Sequence, residues 1–243
     1  YNRGTCTFLL LGAICTRGCR FCDVTHGSPL PPDPGEPLRV AESTAALGVK
    51  YIVLTSVDRD DLPDFGAGHF ARTVRLVHGA APGVGVEVLT PDFQGDEAAI
   101  GTVLEAAPEV FAHNVETVRR LSPTVRDRRA DYDRSLEVLR FAARTAPGIP
   151  VKSGLMVGLG ETDGEVLATL DDLRGAGAVS VTIGQYLAPS PRHLPVRRFV
   201  PPETFARYEE EARARGFVHV ASGPLVRSSY YAEAILSRLP SMK

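Results

Sequence analysis

The stretch TFLLLGAICTRGCRFCDV, residues 7 to 24, places an apolar run directly before three cysteines in a Cx3Cx2C spacing. Its first part, TFLLLGAI (7 to 14), is short and unbroken, as a strand covered on both faces reads, and a polar loop begins where it ends. The same order recurs down the chain. The runs KYIVLTSV (50 to 57), GVGVEVLT (83 to 90), VFAHNVE (110 to 116), VKSGLMVGL (151 to 159) and SVTIGQYL (180 to 187) alternate with helical patterns at 37 to 48, 67 to 79, 95 to 107, 130 to 144, 162 to 175 and 202 to 215. Asp or Thr starts several of these helices and Gly stops several. Six βα units predict an α/β protein with a parallel sheet, either an open doubly wound sheet or a barrel. A seventh run, FVHVASG (217 to 223), precedes a short helical pattern from near Ser228, and SPLPPDPGEP (28 to 37) reads as a loop.

Composition narrows the function classes. The 243 residues are 44% hydrophobic, enough for one domain of barrel size with a substantial core. With 27 basic and 29 acidic residues the net charge is -2, so no global field points to nucleic acid or an anionic membrane as partner. No apolar run approaches the roughly 20 residues needed to span a bilayer, and no secretory pattern opens the chain. The expectation is a cytoplasmic protein, mitochondrial or plastidic if eukaryotic.

Polar residues gather after the C-terminal ends of the strands, where ligands bind in barrels and doubly wound sheets alike. They are Cys15, Cys19 and Cys22 after the first, Asp58 to Asp61 after the second, Thr90 and Asp92 after the third, and His113, Asn114 and Glu116 at the end of the fourth. Glu161 follows the fifth and Gln185 lies in the sixth. In SVDRDD, alternation sets Ser56, Asp58 and Asp60 on one side of an extended segment and Arg59 on the other. It also puts Asn114 and Glu116 on one face. Lys152 either reaches into a barrel or snorkels at its base.

For the cysteines, a disulfide is disfavoured in a chain of this type, and structural zinc needs His26 or Cys6 as a fourth ligand with one knuckle in place of the usual two. Buried free thiols would not cluster in an Arg-containing loop. An iron–sulfur cluster fits, with three thiolates on three irons of a cubane and the fourth iron open to a non-protein ligand. Arg17 and Arg20 either offset thiolate charge or form a solvated loop face.

The Cx3Cx2C loop after the first strand, with Phe21 before its last Cys, resembles the signature of the radical S-adenosylmethionine (SAM) superfamily. CTRGCRFCDV (15 to 24), TSVDRDDLPDFGAGHFA (55 to 71), FAHNVETV (111 to 118), RADYDRSL (129 to 136), KSGLMVGLGET (152 to 162), GQYLAPSPRHLPV (184 to 196) and HVASGPLVRSSYYAE (219 to 233) are similar, in order, to motifs of the lipoyl synthase family. The resemblance implies a partial (β/α)6 TIM-type barrel over 1 to 219 with a C-terminal extension, 220 to 243, carrying RSSY. It implies a 4Fe-4S cluster on Cys15, Cys19 and Cys22 whose open iron takes SAM. It implies that Phe21, Ser56, Asp58, Asp60, Asn114, Glu116, Arg134, Glu161 and Gln185 line the cosubstrate site, Arg134 by way of its carboxylate.

By the same resemblance, Ser229, with Ser228 as the alternative, ligates an auxiliary 4Fe-4S cluster that is dismantled to supply sulfur. Read without the resemblance, the pair is a helix N-cap. The implied reaction is insertion of two sulfur atoms at carbons six and eight of an octanoyl chain on a carrier-domain lysine, with two SAM consumed. Expected partners are an octanoylated glycine cleavage H protein or 2-oxoacid dehydrogenase E2 domain, and a reductant such as flavodoxin or ferredoxin. The family's auxiliary Cx4Cx5C motif belongs upstream of GTC, where this sequence has only Tyr1, Asn2 and Arg3, so a preceding segment is expected; without it, SAM cleavage but not lipoylation is expected. Cys6 reads as a small buried hydrophobe. The rival readings are a single-cluster radical enzyme without sulfur insertion and a non-catalytic metal-binding barrel.

Overall fold

The computed structural model describes residues 4–229 and residue 235. In chain order the elements begin with β1 (Thr5–Leu10), β2 (Ile14–Cys15), β3 (Thr25–His26), α1 (Glu36–Leu47), β4 (Tyr51–Ser56), α2 (Ala67–Ala80) and β5 (Gly85–Leu89). They continue with α3 (Glu97–Leu104), β6 (Val110–Ala112), α4 (Ser122–Val125), α5 (Tyr132–Thr145), β7 (Val151–Val157), α6 (Asp163–Gly175), β8 (Ser180–Gln185), α7 (Pro202–Ala214) and β9 (His219–Gly223). The helix starts are chemically specified. Asp96, Asp131 and Thr162 accept backbone N–H bonds at the starts of α3, α5 and α6, and Thr162 with Glu165 forms a capping box.

Seven strands form one parallel sheet in the order β1-β4-β5-β6-β7-β8-β9. The order never reverses, which separates a barrel winding from a doubly wound sheet, where strand order switches direction and helices cover both faces. Every residue of β8 is buried, as are the first four of β4, so these strands read as continuous apolar runs. The sheet is an open, partial TIM-type barrel. The FVHVASG run supplies β9, which pairs with β8 from Ser180 opposite His219 to Gly184 opposite Gly223. A seventh strand thus extends the six βα units, and the expected boundary between 219 and 220 falls inside it. The expected helix from near Ser228, at Tyr230 and beyond, lies outside the described residues apart from residue 235.

Two runs are interrupted where the site forms. TFLLLGAI stops at Leu10 because Leu11 and Gly12 take left-handed φ of 66° and 90°, and Ile14–Cys15 then pairs with Thr25–His26. VFAHNVE stops at Ala112, and Glu116, with φ of 67°, rejoins the sheet through a single bridge to Leu155. Asn114 and Glu116 therefore share a face through this break rather than through strand alternation.

Candidate active site

The pairing of β2 with β3 ties together the two ends of the cysteine loop. Within it the Cys22 N–H donates to the Cys19 carbonyl at 3.1 Å, and outside it Gly18 N–H donates to Asp127 Oδ2 at 2.8 Å. The loop is clamped to the barrel by Arg17, whose side chain is 3% exposed and reaches Asp58 (3.3 Å), Asp60 (2.7 Å) and Asp92 (2.7 Å) from the ends of β4 and β5. The Asp60 carboxylate is held at about 2: burial would raise it, but Arg17, Gln94 and Thr16 bond to it and prevail.

Between the loop and the strand ends lies a cavity of about 190 Å³ lined by all three cysteines, Phe21, Ser56, Asp58, Asp92, His113, Asn114, Glu116 and Arg126, among others. An adjoining cavity of about 340 Å³ shares Phe21, Leu89, Asn114 and Glu116 and runs over Gly154, Thr182 and Gln185 to Arg227 and Ser228. Both sit at the C-terminal ends of the strands. At Gly154 any added Cβ would lie 2.5 Å from Thr182 Oγ1 and 2.9 Å from Asn114 Oδ1, so the glycine keeps this floor open.

The thiols are suited to a cluster. Cys15 Sγ accepts the N–H of Arg17 (3.4 Å) and of Asp58 (3.3 Å), Cys19 Sγ accepts that of Asp127 (3.2 Å), and Cys22 accepts that of Val24. Backbone N–H bonds to sulfur are the contacts that tune cluster potential. Burial pushes the Cys15 thiol up to about 11 and the Cys19 thiol to about 12, and raises Cys22. Thiolates here therefore call for a cation in place of the proton. Burial, ahead of the neighbouring charges, also lifts Asp58 to about 6 and raises Glu116.

The other expected residues divide. Ser56 and Asp58 line the inner cavity, whereas Asp60 is consumed by Arg17, Gln94 and Thr16 and does not border it. Arg134 donates to the Arg129 carbonyl (2.8 Å) and lies 3.7 Å from Asp92, outside the cavity wall. Glu161 turns both carboxylate oxygens onto its own loop, accepting Gly158 N–H at 2.6 Å and Leu159 N–H at 2.9 Å. Gln185 borders the outer cavity, but its amide is spent on Tyr186, Arg198 and Val200 backbone, pinning the segment before α7. Ser229 is half-buried in the turn after Arg227; Ser228 beside it lines the cavity. Cys6 is partly buried on β1 against the core.

Sequence reasoning passed over Arg126, and placed His113 among the strand-end polar residues without giving it a role. Arg126 borders the cavity and donates to Ser135 Oγ at 2.9 Å. His113 sits between the Thr90 carbonyl (2.9 Å) and Ser135 Oγ (3.0 Å), and burial pushes it down to about 4. The unfolded chain, near 6.5, takes up this proton first as pH falls. Stability is therefore full above about 6.5 and declines toward 4, by at most about 3 kcal/mol. Urea midpoints of the metal-free protein between these pH values are expected to fall with acid, and His113→Gln to flatten that slope; an unchanged slope would assign it to other groups.

A profile of the radical SAM superfamily matches residues 9–173. The chain is 58% identical to the lipoyl synthase of Thermus thermophilus over 97% of its length and 73% of that protein. The chain belongs to the lipoyl synthase family. The lipoyl synthase of Pyrobaculum calidifontis is likewise 58% identical, over 98% of this chain and 83% of its own. Among solved structures the fold resembles the hydrogenase maturase HydG from Carboxydothermus hydrogenoformans (TM-score 0.69, 13% identity, 97% of this chain and 66% of that one). It also resembles methylornithine synthase, PylB (TM-score 0.60, 16% identity, 92% and 73%). As a lipoyl synthase it is a radical SAM enzyme that makes the lipoyl group by sulfur insertion, and the family implies a 4Fe-4S cluster, SAM and a lipoyl carrier protein as substrate. No helix of the described residues is long and apolar enough to cross a membrane.

Proposed function

We propose that Cys15, Cys19 and Cys22 hold the SAM-binding 4Fe-4S cluster at one end of the inner cavity. The observation that carries this is the convergence of three thiols, each accepting a backbone N–H, on a cavity at the C-terminal strand ends. When bound, cluster and SAM supply the 5'-deoxyadenosyl radical that takes hydrogen from carbons six and eight of the octanoyl chain.

This chain's residues bind, orient and exclude water. Ser56 and Asp58 would take the methionine ammonium, Asn114 and Glu116 offer hydrogen bonds to the ribose or amino-acid part, and Phe21 stands where the inner and adjoining cavities meet. Arg126, beside the raised carboxyl of Glu116, balances its charge. Asp60, Arg134, Glu161 and Gln185 act one step back: they fix Arg17, the Arg129 carbonyl, the 158–161 turn and the 198–200 segment. The adjoining cavity over Gly154 and Thr182 takes the octanoyl chain of a glycine cleavage H protein or a 2-oxoacid dehydrogenase E2 domain. Ser229 is the one ligand within this sequence of an auxiliary 4Fe-4S cluster, a hard oxygen donor suited to a cluster that gives up atoms. Flavodoxin or ferredoxin is the reductant, in the cytoplasm or in a eukaryotic organelle.

Anaerobically reconstituted protein given dithionite and SAM is expected to release 5'-deoxyadenosine; none would leave only a non-catalytic metal-binding barrel. Iron analysis of the longest native chain is expected to give about eight irons, where about four would favour a single-cluster enzyme and remove Ser229 from the ligand set.

A further inference from the structure

We infer that Glu36, His69 and Arg59 are positioning residues for the cluster: they lock Leu11, where the chain turns out of β1 into the cysteine loop, and so fix where Cys15 stands, a reading that rests on the cluster assignment above. Leu11 is a conformational outlier. It is a non-glycine residue with φ of 66°, 3% exposed, and Gly12 after it has φ of 90°. A branched side chain enters this left-handed region at a cost, so it persists where the surroundings over-determine it, and such residues cluster at functional sites. Three contacts do so here. The Leu11 N–H donates to Glu36 Oε2 at 2.8 Å, and its carbonyl accepts from Arg59 Nη1 at 3.3 Å. Its side chain fills the space over Gly66, where an added Cβ would lie 2.4 Å from Leu11 Cδ1.

The groups that hold Leu11 are themselves held. Glu36 stands in the first turn of α1 and His69 in the first turn of α2, with His69 Nε2 2.7 Å from the same Oε2 that takes the Leu11 N–H. The carboxylate is therefore seated on one helix, at an N-terminus that favours negative charge, and aimed by a ring on the next. Arg59 is 2% exposed and forms a fork on Asp61, Nε to Oδ1 at 2.8 Å and Nη2 to Oδ2 at 2.7 Å. Its other bonds go to backbone: besides Leu11, it donates to the Leu30 carbonyl at 3.1 Å. Leu11 precedes the cysteines and Leu30 follows them, so one guanidinium ties the chain entering the loop to the chain leaving it. Its sequence neighbours complete the grip. Asp58 and Asp60 pair with Arg17 of the loop, and the Asp58 N–H donates to Cys15 Sγ at 3.3 Å. Arg59 borders neither the inner cavity nor the adjoining one, so it acts through Leu11 rather than by touching cosubstrate. A cosubstrate held both by the open iron and by strand-end residues binds less well when the loop shifts against the strands.

The test is the SAM affinity of the anaerobically reconstituted, dithionite-reduced holoenzyme, read from the change SAM causes in the cluster's electron paramagnetic resonance signal. Removing an outer-shell partner of a metal ligand costs roughly 10–100-fold in affinity, and Glu36 acts one step further out, so Glu36→Ala is expected to raise the Kd of SAM about tenfold. Glu36→Gln, which keeps an oxygen for the Leu11 N–H, is expected to stay within about threefold of wild type. Arg59→Lys is expected to match Glu36→Ala, because a single ammonium keeps its charge beside Asp61 but cannot span the two carbonyls. Thr162→Ala, which removes the N-cap of α6, is the stability control: it lowers the urea midpoint of the metal-free protein and is expected to leave the Kd unchanged. An unchanged Kd in Glu36→Ala or Arg59→Lys, no rescue in Glu36→Gln, or an equal rise in Thr162→Ala would each overturn the inference. A wild-type holoenzyme whose signal does not respond to SAM would instead remove the cluster assignment beneath it.

Discussion

Changing Cys19 to Ala is expected to abolish 5'-deoxyadenosine release, a loss beyond the roughly 10–100-fold that removing an outer-shell partner of a metal ligand costs. Cys19 borders the inner cavity, and its sulfur takes a 3.2 Å N–H from Asp127 on the far side of the loop. Cys6, the remaining cysteine of this sequence, cannot take its place, because it sits on β1 packed against the core. The loss should be accompanied by iron content falling well below that of wild type and by loss of the cluster's visible absorbance, which separates a missing ligand from a misfolded barrel. Cys6→Ala supplies the control: a half-buried small side chain removed from a strand, costing about 1 kcal/mol or less and leaving both readouts in place. SAM cleavage retained in Cys19→Ala, or equal loss in Cys6→Ala, would sink the ligand assignment.

What was legible in the sequence follows from which forces act locally. The strands of the sheet were readable because parallel strands covered on both faces are continuous apolar runs: KYIVLTSV contains β4 and SVTIGQYL contains β8 within one or two residues at each end. Helix starts were readable because Asp131 and Thr162 bond to backbone N–H groups only three residues away. The place of the cysteine loop directly after the first strand was readable from the order of the runs, whereas its assignment to a SAM-binding cluster came from the resemblance. Less legible was where each polar side chain points once several compete for one partner. SVDRDD shows alternation, yet nothing in it says that Arg17, about forty residues earlier, pairs with both carboxylates and that Asp58 borders the cavity while Asp60 does not. Likewise the Arg134 pattern in RADYDRSL looks as suited to a carboxylate as Arg126, and only the turn at α4 decides that Arg126 borders the cavity and Arg134 does not. Glu161 and Gln185 spend their polar atoms on nearby backbone, a use that composition cannot distinguish from ligand binding.

Replacing Lys152 by Met is expected to destabilise the metal-free protein by about 3–5 kcal/mol, because it leaves the Glu87 carboxylate buried without its cation. Lys152 is 1% exposed and Glu87 fully buried; Nζ lies 2.7 Å from Oε1 and 3.0 Å from Oε2, and Tyr51 donates to Oε2 at 3.1 Å. The pair belongs to the layer beneath the cavities. Leu89 and Gly154 line the cavities, and Glu87 and Lys152 stand two residues earlier on the same faces of β5 and β7. The double variant Glu87→Gln with Lys152→Met removes the unpaired charge while keeping an acceptor for Tyr51, so it is expected to recover more than half of the loss. The measurement is the urea midpoint at constant m, and reconstituted double variant should still cleave SAM, since neither side chain borders the cavities. A loss below about 1 kcal/mol in Lys152→Met would mean that water reaches Glu87 through the barrel base. In that case the floor beneath Gly154 is wet, and exclusion of water from the radical's path must rest on Phe21 and the cysteine loop alone. A double variant no more stable than the single would instead place the cost in lost packing of the lysine stem rather than in the stranded charge.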